Sequence, residues 1–171
     1  MRIRPATDAD LPALLALHNM AIADIDWMWI EQPETLEGRT AWLAERRAKG
    51  FPVDVVVDDD DRVLGYAAYG TYRGRDGYDL TVEHSVYLFP EARGQGLGKA
   101  LLAHIIERAR SDGRHAMVAV IDAENTNSIR LHERFGFEHG GHMKQLGKKR
   151  GKWRDQVQMA LLLDDRDAPP A

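Results

Sequence analysis

The stretch Arg93-Gly94-Gln95-Gly96-Leu97-Gly98-Lys99 lies between an extended run, Thr81 to Leu88, and a helical pattern, Leu97 to Arg110. Glycines at alternate positions let the backbone turn sharply and let a ligand approach, and the N–H groups at a helix start have no intrahelical partner. They converge on one point suited to an anion, a phosphate or pyrophosphate, with Arg93 and Lys99 available to add charge. Two familiar phosphate turns do not fit. A P-loop needs Gly where Arg93 stands and a hydroxyl residue where Ala100 stands. A Rossmann turn needs Gly-x-Gly-x-x-Gly, whereas the glycines here are at 94, 96 and 98; Asp122 lies at a ribose-binding spacing, but the upstream hairpins do not suit that fold. A glycine turn serving packing alone is the bland alternative.

Working outward, the strand Thr81–Leu88 has a period of two, with Thr81, Glu83, Ser85 and Tyr87 on one face and Val82, His84, Val86 and Leu88 on the other. Met1 to Arg4 reads as a strand, followed by a helix capped by Thr7 and Asp8 and carrying Leu11, Leu14, Leu15, Leu17 and Ile22. A second helix is expected from near Thr35 to Lys49, stopped by Gly50 and Pro52. Between the helices, Trp27 and Trp29 sit in an aperiodic segment; they wall a pocket or pack in the core, and core packing is the commoner outcome. Val53 to Val57 and Val63 to Tyr72 form a hairpin about Asp58, Asp59, Asp60, Asp61 and Arg62, which lacks the glycine and terminal glutamate of a calcium loop. Beyond Arg110 follow a buried-type strand, Ala116 to Ile121, a helix of about Asn127 to Arg134, and strands near Phe137 to Met143 and Trp153 to Leu163 flanking a loop, KQLGKKRGK. The order β-α-α-β-β-β-α-β-α-β-β predicts an α/β (α+β) domain with a mixed sheet and helices on its faces, spanning 1–163, with 164–171 a flexible tail.

Length and composition agree with one domain. A chain of 171 residues buries about 70% of its unfolded surface, and 44% hydrophobic with 29% charged residues is globular usage. The net charge of −4 argues against a whole-domain nucleic-acid footprint. Zero Cys excludes disulfides, thiolate zinc sites and Cys nucleophiles, and suits the cytoplasm. The start shows no signal-peptide pattern and no long apolar run predicts a membrane span.

The glycine turn resembles the pyrophosphate-binding turn of the GNAT superfamily of acyl-CoA-dependent N-acetyltransferases, and the element order resembles theirs from Ile3 to Leu163. Thr81-Val82-Glu83-His84-Ser85-Val86-Tyr87, Val118 to Ile121, Asn125, Ser128 to Glu133 and Gly136-Phe137 resemble the phosphinothricin and methionine sulfoximine N-acetyltransferase branch. The resemblance implies a mostly antiparallel sheet of about seven strands, splayed to admit acetyl-CoA, without metal. It places Val86, Tyr87 and Leu88 along the thioester and pantetheine, Arg93, Gly94, Gln95, Gly96, Leu97, Gly98 and Lys99 around the pyrophosphate, and Asn125 and Ser128 at the cofactor arm. A strand N–H there also suits the oxyanion formed when an amine attacks the thioester.

Glu83 matches the branch's proposed base, the alternative being a salt bridge that fixes a loop. His132 matches the position of a proton-transferring His, although a lone helical His is as often a packed residue. His84 and Ser85 match positions that touch substrate, with His84 facing opposite to Glu83 unless a bulge re-aims it. Arg73, matched through Tyr72-Arg73, and Arg75, with Gly74 between them, supply guanidinium groups for an acceptor carboxylate. Gly74 and Arg75 depart from the branch's usual Pro-aromatic pair, and Asp79 from a basic or aromatic residue, which bears on acceptor size and polarity. The expected reaction moves acetyl from acetyl-CoA to the α-amine of a small amino-acid-like acceptor by direct attack. Acetylation of another amine or a protein N-terminus, and a non-catalytic acyl-CoA sensor, are the alternatives.

His139 and His142 lack the further ligands of a metal site. Lys144 to Arg154 carries six basic residues and no acidic one, but without a stacking platform it reads as a solvated loop, a dimer contact or a cofactor-phosphate contact and not as a nucleic-acid surface. A homodimer is implied by the resemblance.

Overall fold

The computed structural model describes residues 1–170, leaving Ala171, the last residue of the expected tail, outside the described residues. Among the described residues the strands are β1 (Arg2–Pro5), β2 (Val53–Val57), β3 (Val63–Thr71), β4 (Thr81–Leu88), β5 (Ala116–Asp122), β6 (Glu138–Lys149) and β7 (Lys152–Leu162). The helices are α1 (Leu11–Asp24), α2 (Leu36–Ala48), α3 (Leu97–Ser111) and α4 (Thr126–Arg134). They form the mixed α/β single domain that the element order predicts. The strands make one sheet in the order β1-β2-β3-β4-β5-β7-β6. Only the β4–β5 pair is parallel; the other ladders are antiparallel.

Alternation in the central strands fills two cores. Tyr66 and Ala68 of β3 turn toward α1 and α2, meeting Leu14, Leu17 and Leu43. Ala67 and Tyr69, with Val82 of β4, pack under α3 against Leu101, Leu102 and Ile105. Both faces are therefore covered, which explains why β3 carries few polar residues and why β2 is apolar except for Asp54, whose carboxylate meets His104 at 2.7 Å. Each fully buried Leu contributes roughly 1.5–3 kcal/mol. Local signals set the ends: the Thr35 hydroxyl accepts from Gly38 N at 3.1 Å to cap α2, and Asn125 Oδ1 accepts from Ser128 N at 3.2 Å to cap α4.

The segment expected to be a loop after Met143 is strand. Residues 144–149 complete β6, only Arg150 and Gly151 turn, and β7 begins at Lys152. Register shifts between His139 and Gly141 and between Met143 and Gly147 break the alternation that would have disclosed it. Nor is the basic charge simply solvated. Lys149 is buried, its Nζ donating to the Ile22 carbonyl at 2.8 Å and to the Ile30 carbonyl, while Arg150 Nη1 pairs with Asp26 Oδ1 at 2.7 Å. The hairpin tip thus fixes the connection between α1 and α2. After β7, Asp164 and Arg166 are tied back: Asp164 accepts from His115 at 2.7 Å and Arg166 donates to the Gly113 carbonyl at 3.1 Å.

Asp122, at the end of β5, is buried and receives Arg154 of β7 at 2.7 and 2.9 Å, two parallel bonds that hold the arginine's pKa above its usual range. This pairing, not a ribose, occupies the carboxylate. Arg154→Met should cost about 3–5 kcal/mol in urea unfolding by stranding the Asp122 charge, and adding Asp122→Asn should recover part of it; an unchanged midpoint in the single variant would show the pair is dispensable.

Candidate active site

Parallel pairing of β4 with β5 covers Thr81–Glu83 against Ala116–Val118 and then stops. From His84 on, β4 keeps its partner β3, with Ser85 opposite Ala68 and Leu88 opposite Gly65. Its other edge carries unpaired peptide groups into a cavity of about 790 Å³, whose opposite wall is Ala119 to Asp122 of β5. Such groups are costly to bury unpaired, and an extended backbone laid along this edge would satisfy them.

Val86, Tyr87 and Leu88 line that cavity, and the glycine turn closes one end. Gly94 and Gly96 have φ of +75° and +79°, conformations that side-chain-bearing residues rarely adopt. Gly96 caps α3 without a side-chain bond, and Ala100 N is the first to reach back, to Gly96 O at 3.0 Å. The N–H groups of Leu97, Gly98 and Lys99 thus stand at an open helix start, where the positive end of the dipole favours an anion. Arg93 and Gly98 also line the cavity. The side chains of three turn residues do not: Gln95 donates to the Glu91 carbonyl at 2.8 Å, Leu97 is in the core and Lys99 is exposed. Asn125 and Ser128 face the cavity from the start of α4, where the Asn125 oxygen is already used as the cap.

Glu83 occupies the last paired position of β4 and lines both the large cavity and a neighbouring one of about 210 Å³ on the α1–α2 face. Burial raises its carboxyl pKa, and Arg46 opposes that rise. Gly70 explains how α2 reaches so far. It lies directly across the ladder from Glu83, and the Arg46 guanidinium fills the place a Gly70 side chain would take, 1.1 Å from an ideal Cβ. Directly opposed Cβ positions are about 5 Å apart, so the cation sits beside the carboxylate. Among the described residues they form no ion pair, and Arg46 spends one donor on the Tyr69 carbonyl at 3.4 Å. Arg46 is not among the residues singled out from the sequence: Gly70 is one of two glycines in β3, and nothing local couples it to α2.

His84 points the other way, as the strand period predicts. Its Nδ1 donates to the Val118 carbonyl at 3.1 Å and its Nε2 is 2.9 Å from Nε2 of His132. His132, buried on α4, donates from Nδ1 to the Ser128 carbonyl at 2.7 Å. Burial pushes His84 down to about 3 and lowers His132 as well. Both rings reach the cavity because the sheet is open there, whereas Ser85 meets it from the Glu83 side.

Arg73, Gly74 and Arg75 lie apart from both cavities, exposed in the β3–β4 connection, with Arg73 stacked over Tyr72 and Tyr78 at 5.1 and 5.9 Å. The tryptophans favour the pocket reading over the core. Trp27 is 46% exposed, Trp29 donates from Nε1 to Asp122 Oδ2 at 2.7 Å, and both line the large cavity. Gly147 of β6 makes room for the Trp29 ring, which comes within 2.3 Å of an ideal Cβ there. Among the described residues no cluster of three or more metal-ligating side chains occurs, and no helix is long and apolar enough to cross a membrane.

This splayed sheet with its glycine turn can be compared with known proteins. Residues 14–137 match the profile of the Acetyltransferase (GNAT) family. The chain belongs to the GNAT acetyltransferase family. Among its GNAT relatives, the L-methionine sulfoximine/L-methionine sulfone acetyltransferase of Pseudomonas aeruginosa is 47% identical over 168 residues, 98% of each chain. The yncA protein of Salmonella typhimurium, solved with its cofactor acetyl-CoA, superposes with a TM-score of 0.95 at 42% identity, covering 100% of this chain and 98% of that one. A GNAT phosphinothricin acetyltransferase from Sinorhizobium meliloti, solved with acetyl-CoA, gives 0.94 at 34% identity, covering 99% and 91%.

Because Arg46⁺ favours the carboxylate form, Arg46→Met should raise the Glu83 titration midpoint further. Carboxyl-carbon NMR of the folded protein reads this directly, and a midpoint that stays put or falls would show that the two groups do not sense each other.

Proposed function

We propose that this protein transfers acetyl from acetyl-CoA to the α-amine of a small carboxylate-bearing acceptor of the methionine sulfoximine, methionine sulfone or phosphinothricin type. The single observation that carries this reading is Glu83: a carboxylate raised by burial at the base of the open β4 edge, lining both the large cavity and the smaller one beside it. The similarity to the Pseudomonas aeruginosa and Sinorhizobium meliloti enzymes supports the acceptor class.

The large cavity suits acetyl-CoA on this chain's own chemistry. Its free β4 peptide groups match an extended amide-bearing arm, and the open start of α3 matches a diphosphate. Gly94, Gly96 and Gly98 hold the diphosphate through backbone, with Arg93 adding charge, and Val86 to Leu88 flank the arm. When bound, acetyl-CoA supplies the thioester carbonyl. A β4 N–H stabilises the negative charge that develops on its oxygen. Glu83 accepts the proton the amine must lose, directly or through one water; a raised pKa brings its basicity closer to the task. Trp27, Trp29 and Met28 shield the reacting end from water. Arg73 and Arg75 remain the acceptor-carboxylate candidates of the sequence, and Arg46 is a further cation beside the base.

We place the protein in the cytoplasm, as a homodimer that detoxifies such amino-acid analogues. Sedimentation should give twice the 19.3 kDa chain mass. Selective thiol release from acetyl-CoA with methionine sulfoximine, methionine sulfone or phosphinothricin, over a panel of ordinary amino acids and polyamines, would support the acceptor class; silence on all three with CoA binding intact would remove it. Glu83→Gln should lower kcat by about 10²–10⁴-fold with little change in CoA affinity, and wild-type turnover in that variant would exclude Glu83 as the base.

A further inference from the structure

Two imidazoles in contact through their Nε2 atoms pose a proton-counting problem. His84 Nδ1 faces the Val118 carbonyl at 3.1 Å and His132 Nδ1 faces the Ser128 carbonyl at 2.7 Å. A carbonyl only accepts, so both Nδ1 atoms carry hydrogen. If both rings were neutral, both Nε2 atoms would be bare lone pairs, facing each other at 2.9 Å. Three contacts require three ring protons, and two neutral imidazoles own two. We infer that His84 and His132 share one additional proton between their Nε2 atoms, and that His84 is thereby a positioning residue that holds His132 as a proton-charged acid at the thioester end of the cleft.

The surroundings admit that one charge and no second. Phe137 packs edge-on to His132 with centroids 4.9 Å apart and lies 5.6 Å from His84. From β5 the pair meets the Val118 carbonyl, and from α4 the Ser128 carbonyl and hydroxyl, the latter 3.4 Å from His132 Nδ1. On β4 the nearest carboxylate, Glu83, projects from the opposite face, and the histidine of α3, His104, is engaged with Asp54 at 2.7 Å. Burial opposes charge on either ring, and each ring's charge opposes the other's, whereas the two carbonyls and the ring–ring bond favour the third proton. The pair therefore titrates as one unit. Its site also matters mechanically. His84 is the first residue of β4 beyond the paired stretch, so the proton-bridged rings tie β4 to α4 where the strands part.

The catalytic consequence rests on the acetyl-transfer reading; the shared proton does not. As the amine nitrogen forms its bond to the carbonyl carbon and the carbon–sulfur bond breaks, the amine proton goes to Glu83. The leaving thiolate takes the shared proton; Glu83 then releases its proton to solvent and the neutral pair takes one up from solvent, so the cycle closes with no net proton change.

Imidazole ¹⁵N NMR of the ligand-free protein, followed from about pH 4.5 to about pH 8.5, tests the shared proton without turnover. The expected result is one step moving both Nε2 signals together, with both Nδ1 protonated throughout. Independent steps, or no step on either ring, would overturn it. His84→Gln tests the consequence, because its amide N–H still donates to a neutral His132 Nε2 but brings no extra proton. With folding confirmed by thermal unfolding, this variant should lose about ten- to a hundredfold in kcat with the KM for acetyl-CoA unchanged, and the high-pH limb of kcat should vanish. Wild-type kcat and pH profile in His84→Gln would show that the shared proton plays no part in transfer. If no amine is turned over by the wild type, the NMR result still decides whether the proton is shared.

Discussion

Parallel pairing between β4 and β5 ends at Glu83 and Val118, and the rest of the site depends on that ending. A sheet interior normally satisfies every peptide group on both sides of each strand. Here the two strands separate inside the sheet, which opens a cleft from one face to the other and leaves the β4 edge with unspent hydrogen-bonding capacity. The period of the strand then distributes chemistry across the gap. Glu83 and Ser85 face the α1–α2 side, His84 faces α4, and both sets reach the same cavity. One divergence thus creates the backbone slot, separates the carboxylate from the imidazoles and aims the slot at the open start of α3.

Keeping such a gap open requires bracing on either side. On the β5 side, Asp122 is fixed by Arg154 and also accepts from the Trp29 indole. On the other side, Lys149 and Arg150 anchor the connection between α1 and α2 from the hairpin tip. These contacts join the last hairpin, the first inter-helix connection and the end of β5 around the cleft mouth. A buried charge pair of this kind is a weak source of stability but is expensive to break from one side, which fits a role in holding geometry. Gly70 and Gly147 act in the same spirit by absence of a side chain: one admits the Arg46 guanidinium and the other the Trp29 ring.

The legible parts of the sequence were those governed by local rules. Alternation in Thr81–Leu88 assigned Glu83 and His84 to opposite faces, and the caps and glycines bounded α2, α3 and α4 to within a residue or two, whereas Thr7, read as the cap of the first helix, caps a short 3-10 turn, Asp8–Asp10, ahead of α1. Contacts between distant segments were not legible. Nothing local couples Gly70 to Arg46, Trp29 to Gly147, or His84 to His132, since each pair is made only once the sheet has assembled. The basic stretch after Met143 misled because glycines and register shifts mask the strand period, and because Lys149 is buried by carbonyl acceptors supplied from over a hundred residues away. The tryptophans misled for a related reason: a segment without periodicity carries no sign of which surface it will cover.

The most direct test of the account is the crystal structure of the ternary complex with CoA and L-methionine sulfone. The account predicts the pantetheine arm paired to the free edge of β4, the diphosphate on the start of α3, and the acceptor nitrogen within hydrogen-bond reach of Glu83, directly or through one water. An acceptor bound away from Glu83, or a CoA that leaves the β4 edge unpaired, would contradict it.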